Sequence, residues 1–223
     1  MNNFNPLSDR MRPRTFDEFF GQEEVVGKGK LLRRLIDSDQ ISSLIFWGPP
    51  GVGKTTLAQI IANQTKAHFI VISAVMGGKD ELRKAVDDAQ FHRRMENKST
   101  VLFVDEIHRW NKAQQDALLP YVEKGLITLI GATTENPSFE IIGALLSRSR
   151  VFILKRLEKD DVVKIIKQSL VDKERGLGSQ KIKMEQKDIE LLAGLSVGDA
   201  RVALNSLELA VKAKNTKGKN TEI

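Results

Sequence analysis

The run Gly48-Pro49-Pro50-Gly51-Val52-Gly53-Lys54-Thr55 constrains this chain more than any other stretch, because it stands between the apolar run Ser43–Trp47 and a helix-forming run that begins at Thr56. The order is strand, glycine loop, helix. Glycines let the backbone bend so that successive N–H groups point inward around phosphates, and the helix that follows adds the positive end of its dipole. This pattern assigns Gly48, Pro49, Pro50, Gly51, Val52, Gly53, Lys54, Thr55 and Thr56 to the phosphates of a bound nucleotide. Lys54 reaches the β- and γ-phosphates. The Thr55 hydroxyl serves Mg²⁺, an ion that keeps most of its waters and takes few protein ligands. The bland alternative is a glycine-rich turn with a chance lysine, but such a turn seldom has an apolar strand before it and a clean helical pattern after it.

The 223 residues suit one large domain or two small ones. A hydrophobic content of 41% with 29% charged residues is that of a soluble globular protein, and the lack of cysteine excludes a disulfide framework and a cysteine zinc site. Residues 1–14 hold no apolar core of signal-peptide length, and no apolar run nears the roughly 18 residues of a membrane span. A cytoplasmic protein with no membrane partner is therefore expected. Lys and Arg number 35 against 29 Asp and Glu, a balance of +6 that suits a polyanionic partner and equally suits ordinary solubility.

Taken in order, residues 11–22 read as an ordered arm with proline and glycine punctuation, followed by a helix over Leu31–Asp37. Strands are expected at Ser43–Trp47, 69–73, 101–105, 126–131 and 151–154. Helices fall between them at 80–91, with Leu82, Val86 and Ala89 on one face, at 113–123 with Gly125 as its cap, and at 139–146. Alternating strands and helices give an α/β fold with a parallel sheet and ligands at the strand C-termini. Beyond Leu157 the pattern turns helical at 159–173, 187–195 and 199–211, a small all-α unit. The expected division is 1–156 for the P-loop nucleotide-binding domain with its arm and 157–223 for an incomplete helical domain. Residues 212–223, rich in Lys, Asn and Thr, are expected to be mobile.

Asp105-Glu106 closes the third strand at the edge where the glycine loop lies. Asp105 would hold the Mg²⁺ shell and Glu106 would orient and deprotonate the attacking water, although such a pair by itself also caps helices. Gly131-Ala132-Thr133-Thr134-Glu135-Asn136-Pro137 ends the fourth strand on the same edge, where Thr134 would bond the γ-phosphate or the water; the alternative is a simple turn. Ser147-Arg148-Ser149-Arg150 places two guanidiniums before the fifth strand, either to stabilise phosphoryl charge or as a solvated basic turn. His108 reads as packing or support, since Glu106 already supplies the base. Trp47 reads as core, and Trp110, beside Arg109 and Lys112, as a candidate DNA or subunit surface. Gly77-Gly78-Lys79 would offer N–H groups to a DNA phosphate or simply start a helix.

The ordered set of 48–55, 101–108, 131–137, 147–149 and Gly198-Asp199-Ala200-Arg201 resembles AAA+ ATPases of the clamp-loader clade over residues 11–211. Within that clade, Arg12-Pro13-Arg14-Thr15 with Gly21-Gln22, the stretch 105–116 and the stretch 130–137 look most like the Werner-helicase-interacting ATPase family. The resemblance implies a P-loop AAA+ domain followed by a small helical lid, with Mg²⁺-dependent hydrolysis of ATP to ADP and phosphate. It also implies a DNA-associated role in replication-fork maintenance, recombination and repair. Met11, Arg12, Gly21 and Gln22 would belong to an arm contacting adenine. Thr134 would be the first sensor, Arg148 the finger acting on a neighbouring subunit's ATP, and Arg201 the second sensor on the lid. The clade's finger usually stands in Ser-Arg-Cys; here Ser149 and Arg150 follow, and the choice between Arg148 and Arg150 stays open.

The implied partners are DNA ends, gaps or forks recognised without regard to base sequence, further copies of the chain in the full-length family, and a single-stranded DNA-binding protein or other replication proteins. In a bacterium the protein would associate with the nucleoid. The family continues with the rest of its lid and an assembly domain, so this chain is expected to be a fragment and a monomer. Two rivals share the fold: a clamp-loader-type factor that opens or loads a ring-shaped partner, and a nucleotide-gated interaction module. Asp105, Glu106, Thr134 and Arg148 together argue against the module.

Overall fold

β1 (Ser43–Trp47), β2 (His68–Ser73), β3 (Thr100–Asp105), β4 (Ile127–Thr133) and β5 (Ser149–Ile153) are joined in parallel into one sheet of order β2-β3-β4-β1-β5. The computed structural model describes residues 5–215. The order follows from burial. β1, β3 and β4 are near-continuous apolar runs covered on both faces, as interior parallel strands require, whereas marginal β2 and β5 expose Val71 and Ile153, each at 55%. The α/β parallel-sheet reading therefore holds.

The described residues divide into two compact units. The sheet unit comprises Glu23–Pro49 and Lys54–Leu154. Its helix Lys79–Met95 buries Leu82, Ala85, Val86 and Ala89 against the sheet, the face the sequence periodicity marks, while its polar face meets water. Two expected helices are each broken in two. The stretch 113–123 forms Lys112–Asp116 and Leu119–Glu123, because Pro120 lacks an N–H and belongs in the first turn of a new helix. The stretch 139–146 forms Pro137–Glu140 and Gly143–Leu146, separated by Ile141 and Ile142, of which Ile141 is extended and buried in the core. Gly125 sits just past its helix at φ +59°, the left-handed position where glycine closes a helix without strain.

The helical unit gathers the chain up to Gln22, Pro50–Gly53 and the chain from Lys155 on, so the N-terminal arm groups with the helices. Helices Lys159–Val171, Gln186–Leu195 and Ala200–Asn215 pack with the short helix Leu7–Arg10 around Leu7, Val162, Ile166, Ala203 and Leu207. A polar clamp ties the N-terminal segment down: the Leu7 N–H donates to Glu208 at 3.1 Å and Arg10 pairs with the same carboxylate at 3.0 Å. The last helix continues to Asn215, so residues 212–215 are helical rather than irregular. The remainder of the stretch expected to be mobile, 216–223, lies outside the described residues. Among the described residues no helix is long and apolar enough to cross a membrane.

Arg175 holds Glu18 by a fork of two 3.0 Å bonds. That fork lowers the Glu18 pKa below its ordinary 4.5, with burial opposing it and the Arg14 N–H assisting. A lowered carboxylate pKa contributes stability that is fully present above the unfolded value and is lost as pH falls through the folded one. Glu18→Gln should cost about 1 kcal/mol near neutral pH, a charged bond discounted for partial exposure. The gap between variant and parent should close below pH 4.5 in thermal melts; a gap independent of pH would contradict the assignment.

Candidate nucleotide site

Because every strand runs the same way, the C-terminal ends of β1, β3 and β4 line one edge of the sheet. The chain leaves β1 through Gly48, whose N–H donates to the Thr133 carbonyl at the end of β4, 3.1 Å away. Gly51 and Gly53 then adopt φ of +72° and +98°, conformations that favour glycine. Space enforces the same choice: a Cβ on Gly53 would lie 2.7 Å from the Phe19 ring, and one on Gly51 would run into the Asp199 carboxylate.

Lys54 opens the helix Lys54–Gln64 and is buried, its Nζ donating to the carbonyls of Gly48 at 2.6 Å and Pro49 at 2.9 Å. The ammonium is thus held against the two carbonyls that follow β1. Thr55 and Thr56 lie half-buried in the first turn of the same helix. Asp105 ends β3, half-buried, with its carbonyl accepting the Ala74 N–H. A lone hydroxyl and a lone carboxylate match the oxygen donor set of Mg²⁺, which supplies the rest of its shell from water and phosphate.

Glu106 follows at φ 55°, ψ 44°, a left-handed backbone that costs a non-glycine residue about 1–2 kcal/mol. Its side chain is held in turn. Thr134 donates through Oγ1 to Oε2 at 3.4 Å, and the His108 Nε2 lies 3.2 Å from the same oxygen. His108 Nδ1 stands 2.9 Å from the Thr133 Oγ1, and that hydroxyl also accepts the Glu135 N–H at 3.0 Å. The network joins the end of β3 to the end of β4. It brings Glu106 and Thr134 together as the sequence suggests, and adds His108 and Thr133. Two adjacent threonines at a strand end alternate faces, and the sequence does not say which one faces the acidic residue.

Three sequence expectations are corrected. Trp110 is 3% exposed and donates its indole N–H to the Gly77 carbonyl at 3.0 Å, so it is core and offers no surface to DNA or a subunit. The Gly78 N–H is taken by the Glu81 carboxylate at 2.7 Å, and the Gly77 N–H by the Ser73 carbonyl, which leaves a carboxylate where a phosphate would sit. Trp47 is only half-buried, at the end of β1.

Arg148 pairs with Glu123 at 2.8 Å and donates to the Ala144 carbonyl at 2.8 Å. With 41% of its side chain exposed, it makes no bond to the Glu106 network. Arg150 lies within β5 opposite Leu44 and is exposed. In the helical unit Arg201 is exposed in the first turn of its helix, its N–H capped by Asp199 at 2.8 Å. Met11 is 7% exposed in the apolar core of that unit, and Arg12 pairs with Asp9 at 2.7 Å. Gly21, at φ +78°, packs against Leu157 and Asp161, while Gln22 makes two side-chain bonds to the Lys155 backbone. A buried residue the sequence reading passed over, Gln115, bonds the Trp110 and Glu140 carbonyls and the Ile142 N–H, fixing the segment that follows Thr134.

A strand, glycine loop and helix, with an acidic pair at the end of β3, one strand beyond β1's neighbour β4, define a P-loop nucleotide-binding fold. The chain belongs to the ATPase family associated with various cellular activities (AAA), whose profile matches residues 44–157. It is 50% identical over 210 residues to replication-associated recombination protein A of Haemophilus influenzae, covering 94% of this chain and 47% of the relative. It is 45% identical over 210 residues to the ATPase WRNIP1 of Dictyostelium discoideum, covering 94% and 24%. The resemblance drawn from the motifs is thereby borne out, and the chain spans about half the length of the bacterial relatives it matches. Among solved structures it is similar to the Thermotoga maritima RuvB Holliday junction branch migration motor, with TM-score 0.72 and 31% identity over 93% of this chain and 67% of that one.

Proposed function

We propose that this chain binds Mg²⁺·ATP at the sheet edge and hydrolyses it to ADP and phosphate, as the motor part of a protein acting on DNA in replication-associated recombination and repair. The observation that carries this reading is Glu106, held by Thr134 across two strands on the edge where β1 runs into the glycine loop. Lys54 neutralises phosphate charge, and Thr55 with Asp105 would hold Mg²⁺, which draws charge from the β- and γ-oxygens when bound. Glu106 accepts a proton from water as the water oxygen attacks the γ-phosphorus. The bond to the β,γ-bridging oxygen breaks, and ADP leaves. Thr134 fixes the carboxylate during that step.

Arg148 is exposed, with its bonds to Glu123 and Ala144 and none to Glu106, which suits a finger supplied to a neighbouring copy's ATP. Arg201 as second sensor, residues 11–22 as adenine arm, and 157–223 as part of a lid are carried over from the family on their motifs. The similarity to a replication-associated recombination protein and to a Holliday junction branch migration motor supports a DNA partner, and the balance of +6 agrees. A replication role is favoured over clamp loading by the names of these relatives.

Lys54→Ala should lose nucleotide, whereas Glu106→Gln should keep ATP while turnover falls by orders of magnitude. Arg148→Ala should bind ATP yet stay slow, and a concentrated mixture of Arg148→Ala with Glu106→Gln should recover activity, since only a mixed interface pairs an intact water site with an intact finger. Unchanged turnover in Glu106→Gln would overturn the hydrolytic reading. DNA binding should weaken steeply between low and physiological salt and ignore base sequence. Strong sequence preference, or salt-insensitive affinity, would contradict the proposed contact with DNA.

A further inference from the structure

His108 is 8% exposed and lies between two groups that fix both of its ring nitrogens: Glu106 Oε2 at 3.2 Å from Nε2 and Thr133 Oγ1 at 2.9 Å from Nδ1. The bonding around Thr133 decides how such a chain runs. Its hydroxyl oxygen accepts the Glu135 N–H at 3.0 Å, so its own proton is available to a neighbour. Two acceptors compete for that proton, His108 Nδ1 at 2.9 Å and the Glu135 carbonyl at 3.3 Å, and the nearer is the imidazole. An Nδ1 that accepts leaves the ring proton on Nε2, the nitrogen 3.2 Å from a carboxylate oxygen. The chain then reads in one direction: Glu135 N–H to Thr133, Thr133 O–H to His108, and the His108 Nε2 edge against Glu106 at 3.2 Å.

We infer that His108, as the neutral Nε2–H tautomer, is a positioning residue for Glu106, coupling the backbone that follows β4 to the carboxylate at the end of β3. The inference rests on Glu106 being the water-activating group. Both contacts to the carboxylate, the Thr134 bond at 3.4 Å and the His108 Nε2 at 3.2 Å, fall on Oε2. Oε1 is the oxygen left to take the water's proton. The arrangement also accounts for the left-handed backbone at Glu106, a strain that persists where surrounding bonds over-determine it. A shift of the 133–135 segment, such as a γ-phosphate bonded to Thr134 would produce, is passed through Thr133 and the imidazole to Glu106 without any movement of β3.

The test separates reach from bulk. A glutamine amide nitrogen extends about as far as Nε2, whereas an asparagine amide reaches only about as far as Nδ1. His108→Gln should therefore keep the bond to Glu106 and His108→Asn only the bond to Thr133. In ATPase assays at high protein concentration, kcat should fall about tenfold in His108→Asn and His108→Ala, the loss of one orienting bond, and stay within about threefold in His108→Gln. KM for ATP and the melting temperature should barely move in the glutamine and asparagine variants. Nitrogen-15 spectra of the unmodified chain should show an unprotonated Nδ1 and a protonated Nε2 on His108. Equal kcat in His108→Asn and parent, or a protonated Nδ1 with a bare Nε2, would overturn the inference. An unmodified chain that binds ATP but never turns it over would instead defeat the hydrolytic reading, with the tautomer still deciding how the imidazole is bonded.

Discussion

The 3.1 Å bond from the Gly48 N–H to the Thr133 carbonyl is the fastening on which the site depends. Parallel strands bring their C-terminal ends to one edge, yet they do not by themselves fix where a glycine-rich loop leaves that edge. This bond sets the exit of the loop against the end of β4. Thr133 uses its carbonyl for the loop and its hydroxyl for His108. One residue therefore registers both the phosphate side and the water side of the proposed chemistry. Gly131 makes the approach possible two residues earlier, since a Cβ there would stand 2.8 Å from Ile45 and 3.2 Å from Ile107.

Polar bonding at this edge rests on an apolar floor, although the Glu106 side chain is 31% exposed. Ile45, Ile107 and Ala132 are fully buried around it, and in such surroundings a carboxylate and an imidazole are ordered by few bonds. The same low polarity makes unmatched groups costly, so Lys54, His108 and Thr133 all have partners. Lys54 borrows two loop carbonyls, a weaker arrangement for an ammonium than phosphate oxygens would give. The proposed binding of Mg²⁺·ATP would exchange those partners and create no new buried charge without a counter-charge.

Much of this was legible from residue order, for physical reasons. Buried parallel strands announce themselves as apolar runs, and Ser43–Trp47 matches its observed bounds. The glycine loop was legible because left-handed backbone beside a lysine and a threonine has few other uses. Contacts decided by tertiary packing were not. Trp110 sits among charged neighbours in sequence, and only the fold turns its indole inward onto Gly77. His108 gives no periodic signal, since it falls in a three-residue 3₁₀ turn, and its partner Thr133 is indistinguishable from Thr134 before the pleat is known. The grouping of residues 5–22 with the helices rests on Leu7 and Arg10 against Glu208, some 200 residues away in the chain.

The central claim is that the glycine loop and the end of β4 serve one bound nucleotide. Amide hydrogen exchange measured with and without a non-hydrolysable ATP analogue and Mg²⁺ tests it most directly. The account predicts slowed exchange at Gly51, Val52, Gly53, Lys54 and Thr55 together with Thr134 and Glu135, while the outer edge of β2 and the helix Lys79–Met95 stay unchanged. Protection of the loop with none at Thr134 and Glu135, or protection centred on β2, would contradict it.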